Sequence, residues 1–208
     1  MRTLLLPSTE KRKQFELRAL ALRDFAGVTR DQPLDPFALA TFARLLVVDF
    51  EAIEGLSEAT RAHLLGEASD EWSGGACSRP LPDGWRLVIL NPAHGTQRNR
   101  ATLMEEISHV FLGHAANRLA PVTSPTADGN PRILTRDYNH DDEEAAYAVG
   151  AAALVPYAAL RSLIAAGRAA PEIAHHFRVS RQLVEYRIKV THLWAEYKDS
   201  SAARPEHV

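Results

Sequence analysis

The chain has 208 residues, 46% of them hydrophobic and 24% charged, with a formal net charge of −2 at pH 7. That is enough sequence for one well-buried core, or for one domain with a small appendage. The near-balance of charge counts against a nucleic-acid coat or a polybasic membrane anchor. The single cysteine, Cys77, excludes an intrachain disulfide and any multi-cysteine metal site. No apolar run approaches the roughly 18 residues of a membrane span. The opening residues 1–7 are too short for a secretion signal, and Glu10-Lys-Arg-Lys13 follows at once, so a cytoplasmic location is expected.

Residues 10–27 carry Phe15, Leu17, Leu20, Leu22 and Phe25 at helical spacing and predict a first helix. Asp35 and Pro36 then form an N-cap and N1 pair for a helix to Ala43. Leu45-Leu-Val-Val-Asp-Phe50 reads as a strand, and residues 57–65 as a short capped helix. Residues 72–78 and 85–90 flank Pro82-Asp-Gly84, the pattern of a β-hairpin. Asn91-Pro-Ala-His-Gly95 breaks the sheet ahead of a long helix over residues 100–114. Residues 119–137, rich in Pro, Gly, Ser and Asp, predict a long loop with one extended piece near 132–135. An alanine-rich helix from Asp141 or Asp142 to Val155 ends at Pro156, and another follows to Ala166 before Gly167. Residues 170–188 have helix–turn–helix spacing. Ile173, Ala174, Phe177, Val179, Val184 and Ile188 form the packing set, Ser180 is the cap, and the second helix is expected to run on to Tyr197. Residues past Lys198 read as a frayed end.

The helix over residues 100–114 carries Glu105, Glu106 and His109. Zinc hydrolases hold their ion on such a helix through two histidines at i and i+4, with a glutamate at i+1 that activates water. Here the pattern is E-E-x-x-H. Glu105 occupies the first ligand position, on the same face as His109, and Glu106 keeps the position of the base. The alternative for Glu105 is a capping box with Thr102 as N-cap. On the alanine-rich helix, acidic residues precede a small apolar surface able to pack closely on a second helix. Such a carboxylate is what a metal held by the first helix needs as its outside ligand.

His109 with Glu106, and an acidic residue thirteen before the Pro that ends Leu154-Val-Pro156, resemble the ImmA/IrrE family of metallopeptidases. Trp72-Ser-Gly, Ile89-Leu-Asn-Pro92 and Arg100-Ala-Thr-Leu103 share the resemblance, which covers roughly residues 30–197. It implies an α+β fold: a mostly helical, zincin-like peptidase core with a small antiparallel β-sheet and a helix–turn–helix-like C-terminal subdomain. The expected organisation is an N-terminal helix over residues 1–30, the core over 31–166, the C-terminal subdomain over 167–198 and a tail over 199–208. It also implies a cytoplasmic zinc-dependent endopeptidase that cleaves a helix–turn–helix repressor in stress or mobile-element regulation. By the same resemblance His109 is a metal ligand, Glu106 the general base and Glu143 the third protein ligand, with Glu144 as its alternative.

Two carboxylates and one imidazole make a harder, more anionic set than two imidazoles and one carboxylate, which moves preference from Zn²⁺ toward Mn²⁺ or Fe²⁺. His140 is either a substitute donor or a solvated loop residue, and Tyr147 either an oxyanion donor or a core aromatic. His114, about 140° round the helix from His109, is read as a helix-end or partly buried residue. Two other readings stand beside the enzyme. One is a pseudopeptidase without metal that grips a partner protein. The other is a DNA-binding regulator using Arg181, Gln182 and Arg187, against which Glu185 and the acidic net charge count.

Overall fold

The computed structural model describes residues 4–77, 79–114, 119–121, 134–136 and 139–202. Helix α1 (Glu10–Phe25) buries Phe15, Ala19 and Leu22. Asp35 caps α2 (Pro36–Ala40) by accepting from the Phe37 amide, with Pro36 supplying the preset φ of a first helical residue. Strand β1 (Leu45–Val48) follows, then a short 3-10 turn (Phe50–Ala52) and helix α3 (Glu58–Leu65), whose cap is Ser57. Strands β2 (Gly74–Ala76) and β3 (Arg86–Leu90) form the expected antiparallel hairpin, with Gly75 opposite Ile89. β1 joins β3 in parallel, Val47 opposite Val88. The three-stranded sheet, in the order β1-β3-β2, is therefore mixed rather than antiparallel throughout, and β2 lies at its edge.

Helix α4 (Thr96–Leu112) starts four residues before the expected Arg100. Its start is fixed by Asn91, a fully buried side chain that donates to the carbonyls of Ser69 and Trp72 and accepts from the Ala93 amide. The Asn99 side chain returns to the Asn91 carbonyl, so the residue just after β3 and the first turn of the helix form one polar knot. With Gly95 as N-cap, Thr102 lies in mid-helix and is buried. The capping-box reading of Thr102 and Glu105 is thereby corrected, and Glu105 is free of that role.

The segment expected as a loop contains a two-stranded ladder, β4 (Leu119–Pro121) paired antiparallel with β5 (Leu134–Arg136). Its other residues between 115 and 138 lie outside the described ones. Helix α5 (His140–Leu154) is capped by Asn139, whose side chain accepts from the amides of Asp141 and Asp142. α5 lies against α4 and α1, and its small residues make this contact close. A Cβ on Gly150 would stand 3.2 Å from both the Met104 carbonyl oxygen and Ser108 Oγ. Glycine is what permits the approach.

Helices α6 (Tyr157–Ala165), α7 (Ala170–Phe177) and α8 (Arg181–Val190) complete the core, and the six residues expected to pack α7 on α8 are all buried. α8 does not run on to Tyr197. Thr191 and the left-handed His192 turn the chain, Leu193 is buried, and α9 (Trp194–Ala202) begins as a separate helix. The expected frayed end past Lys198 is helical as far as Ala202. No single helix among the described residues is long and apolar enough to cross a membrane. The α5–α6 pair, apolar in composition, is bent by 50°.

Candidate metal centre

α4 and α5 bring together donor atoms of Glu105, His109 and Glu143, all within 4.8 Å of one another. Two of the three follow from helix geometry: residues four apart on α4 present their side chains on one face, one turn apart. The third depends on the close packing of α5. His109 Nε2 lies 3.5 Å from Glu143 Oε2, with side chains 17% and 15% exposed. Two carboxylates and an imidazole, converging and largely shielded from water, are a donor set suited to a divalent cation.

Glu106 is one residue round α4 from this cluster and is half-buried. Glu105 and Tyr147 face a cleft of about 280 Å³, whose other walls include Ser73, Arg98, Thr102 and, from the start of α8, Ser180 and Gln182. Ser73 immediately precedes the edge strand β2, so the cleft opens beside a row of strand backbone. The Tyr147 ring packs edge-on against Tyr186, 5.0 Å between centroids. Burial, with Tyr186 and Glu105 nearby, raises the Tyr147 phenol above its usual pKa. Its hydroxyl therefore stays protonated at neutral pH and has a hydrogen to donate.

Residues 73–189, more than half of the chain, match the family model of Peptidase_M78, the IrrE N-terminal-like domain. The chain belongs to this family. No curated protein matches the chain. Peptidase_M78 is a metallopeptidase family, and the matched segment contains every donor described above.

Helix phase separates the remaining residues singled out in the sequence. Glu144 lies against α1 instead, 2.7 Å from Lys11 Nζ and 3.7 Å from Arg12. The hydrogen bond from Lys11 holds its carboxyl below the usual range. His140 is the exposed first residue of α5 and groups with Asp141 and Glu144 rather than with His109. Arg181 is paired with Glu185 one turn on, and Gln182 lines the cleft beside Glu105. Arg187 is 3% exposed, donating to Glu16 at 2.6 Å and to the Val155 carbonyl. A buried, paired guanidinium cannot reach DNA, so the DNA-contact reading of Arg187 is corrected. Arg100 also has a structural place: it ties α4 to Asp35, to the Leu34 carbonyl and to the Arg178 carbonyl.

His114 lies just past the end of α4 with its side chain 12% exposed, as expected of a helix-end or partly buried residue, but its separation from His109 differs from the expected one. His114 is not 140° away from His109, because Gly113 adopts a left-handed conformation and ends the helix. Its ring returns onto His109, Nδ1 to Nδ1 at 3.0 Å, and its Nε2 lies 3.5 Å from Asp142. The signal was available in the Leu-Gly-His sequence, since glycine just past the last helical turn marks a left-handed cap.

Proposed function

We propose that this Peptidase_M78 member is a metal-dependent endopeptidase whose ion is held by Glu105, His109 and Glu143. The observation that carries the reading is the convergence of those three donors across α4 and α5. A divalent cation there would polarise a carbonyl and acidify a bound water. With two carboxylates in the set, Mn²⁺ or Fe²⁺ compete better with Zn²⁺ than they would for a two-histidine site.

The chain's own residues supply the rest. Glu106 takes a proton as the water oxygen bonds to the scissile carbonyl carbon, and returns it to the leaving nitrogen as the C–N bond breaks. The Tyr147 hydroxyl donates to the carbonyl oxygen as that oxygen gains charge. An extended peptide pairs with β2, the edge strand of the three-stranded sheet, its side chains alternating toward the cleft and away from it. Following the family resemblance, the substrate is a helix–turn–helix repressor and the setting is cytoplasmic gene regulation.

Glu105 supports a second reading, a pseudopeptidase that binds the same partner without cutting it. One experiment separates the two. The purified protein is titrated with Zn²⁺, Mn²⁺ and Fe²⁺, and cleavage of an extended repressor peptide is followed with Glu106 and with Glu106→Gln. Metal binding together with at least a hundredfold loss of rate in Glu106→Gln is the enzyme's signature. Absence of metal binding at saturation, with partner binding untouched by Glu106→Gln, establishes the pseudopeptidase.

A further inference from the structure

We propose that His114, backed by Asp142, is a positioning residue that fixes the tautomer and orientation of His109. The inference rests on the metal-centre reading given above. The ring of His109 has two ends with different neighbours. Nε2 faces Glu143 at 3.5 Å, and Nδ1 faces His114 Nδ1 at 3.0 Å. Two ring nitrogens at that distance share one hydrogen: one donates and the other accepts.

The assignment of that hydrogen follows from the three-residue cluster. Only a nitrogen without hydrogen offers a lone pair to a cation, so His109 must leave Nε2 bare to act beside Glu143. Its hydrogen then sits on Nδ1 and is donated to His114. His114 accepts through Nδ1 and so carries its own hydrogen on Nε2. That nitrogen is the one turned toward the Asp142 carboxylate, 3.5 Å away. Each group in the row Asp142, His114, His109 thus has the one role its neighbour requires. The reverse assignment places a bare His114 Nε2 against a carboxylate and a hydrogen on the nitrogen that faces the cluster.

The surroundings hold this row rigidly. The His114 side chain is 12% exposed and crosses His109 edge-on, ring centroids 5.1 Å apart. Gly113, at φ +72°, brings the chain back over the end of α4, a backbone state that a β-carbon would strain. Asp142 is itself held by Asn139, which donates to it at 2.8 Å. A ligand histidine steadied through its far nitrogen keeps both its ring angle and its basicity, and loss of such a partner costs about 10–100-fold in metal affinity.

The test compares the full-length protein with His114→Phe, His114→Gln and Asp142→Asn. Zn²⁺ and Mn²⁺ dissociation constants are measured by competition with a chelating dye, and folding is checked by urea unfolding. Long-range ¹H–¹⁵N spectra of the Zn²⁺-loaded protein read which nitrogen of each ring carries hydrogen. The expected result is a loss of about 10–100-fold in affinity for His114→Phe. His114→Gln, whose amide oxygen can accept from His109 Nδ1, loses less, and Asp142→Asn falls between that variant and the unaltered protein. The spectra show His109 protonated at Nδ1 and His114 at Nε2. Equal affinity in a folded His114→Phe, or His109 protonated at Nε2 in the loaded protein, overturns the inference and leaves the metal centre standing. Failure of the unaltered protein to bind either ion overturns the metal centre and this inference with it.

Discussion

Glu105 changes the charge of the site before it changes its shape. A carboxylate in place of an imidazole adds a full negative charge to the donor set, and would offset more of a bound cation's charge and favour harder ions. Replacing it, Glu105→His, is expected to raise Zn²⁺ affinity about tenfold or more, about 1.4 kcal/mol, relative to Mn²⁺; competitive metal titration reads the ratio. Its neighbours on α5 show how strongly phase governs single residues. Glu143 meets His109, whereas Glu144 meets Lys11 on another face. Because the Lys11 hydrogen bond depresses the folded-state pKa of Glu144, its stabilisation is present above the ordinary carboxylate range and is lost as pH falls through the depressed value. Lys11→Ala should therefore lose about 0.2–1 kcal/mol at neutral pH, as an exposed pair would, and nothing in strong acid. Urea unfolding at the two pH values checks this.

At the scale of the element, the α4–α5 contact decides the site. The alanines of α5 and the absence of a side chain at Gly150 let its backbone approach Met104 and Ser108 on α4. Gly150→Ala gains up to about 1 kcal/mol of helix propensity. It presses a methyl against a backbone carbonyl that cannot rotate away, an overpacking cost of about 1–3 kcal/mol. The expected net result is lower stability in urea unfolding, with weaker metal binding as Glu143 is pushed back. The same element shows where sequence reading failed and why. The start of α4 was missed because its cause, the buried Asn91 side chain, acts through the carbonyls of Ser69 and Trp72, about twenty residues away. The break after α8 was missed because a non-glycine residue, His192, takes the left-handed conformation there.

Across the whole molecule, buried ions join elements far apart in the chain. Glu16 on α1 accepts from Arg187 on α8 and from the Tyr157 amide at the start of α6, while Arg187 also donates to the Val155 carbonyl. Arg23 donates to the carbonyls of Ala153, Thr29 and Gln32, and burial pulls its guanidinium down to about 10, still charged at neutral pH. α1, which lies outside the matched family segment, is thereby bound to the helix that carries Glu143. Removing one partner of a buried pair leaves the other charge unpaired, so Arg187→Met should cost about 3–5 kcal/mol. Glu16→Leu combined with Arg187→Met should recover much of that loss. Chemical denaturation of the single and double variants measures the difference.

The sequence by itself determined the pattern Glu105, Glu106, His109, the hairpin, the two long helices and the family, because each rests on local spacing: four residues to a helical turn, two to a strand repeat. Tertiary structure decided the rest. It set Glu143 rather than Glu144 beside His109, put Arg187 in the core, added β1 in parallel and folded His114 back onto His109. Each of those depends on a partner distant in sequence or on one residue's φ, neither of which periodicity contains. The helix with the wrong first ligand was legible from the start. Only the packing of α5 against it gives that glutamate the company a cation needs.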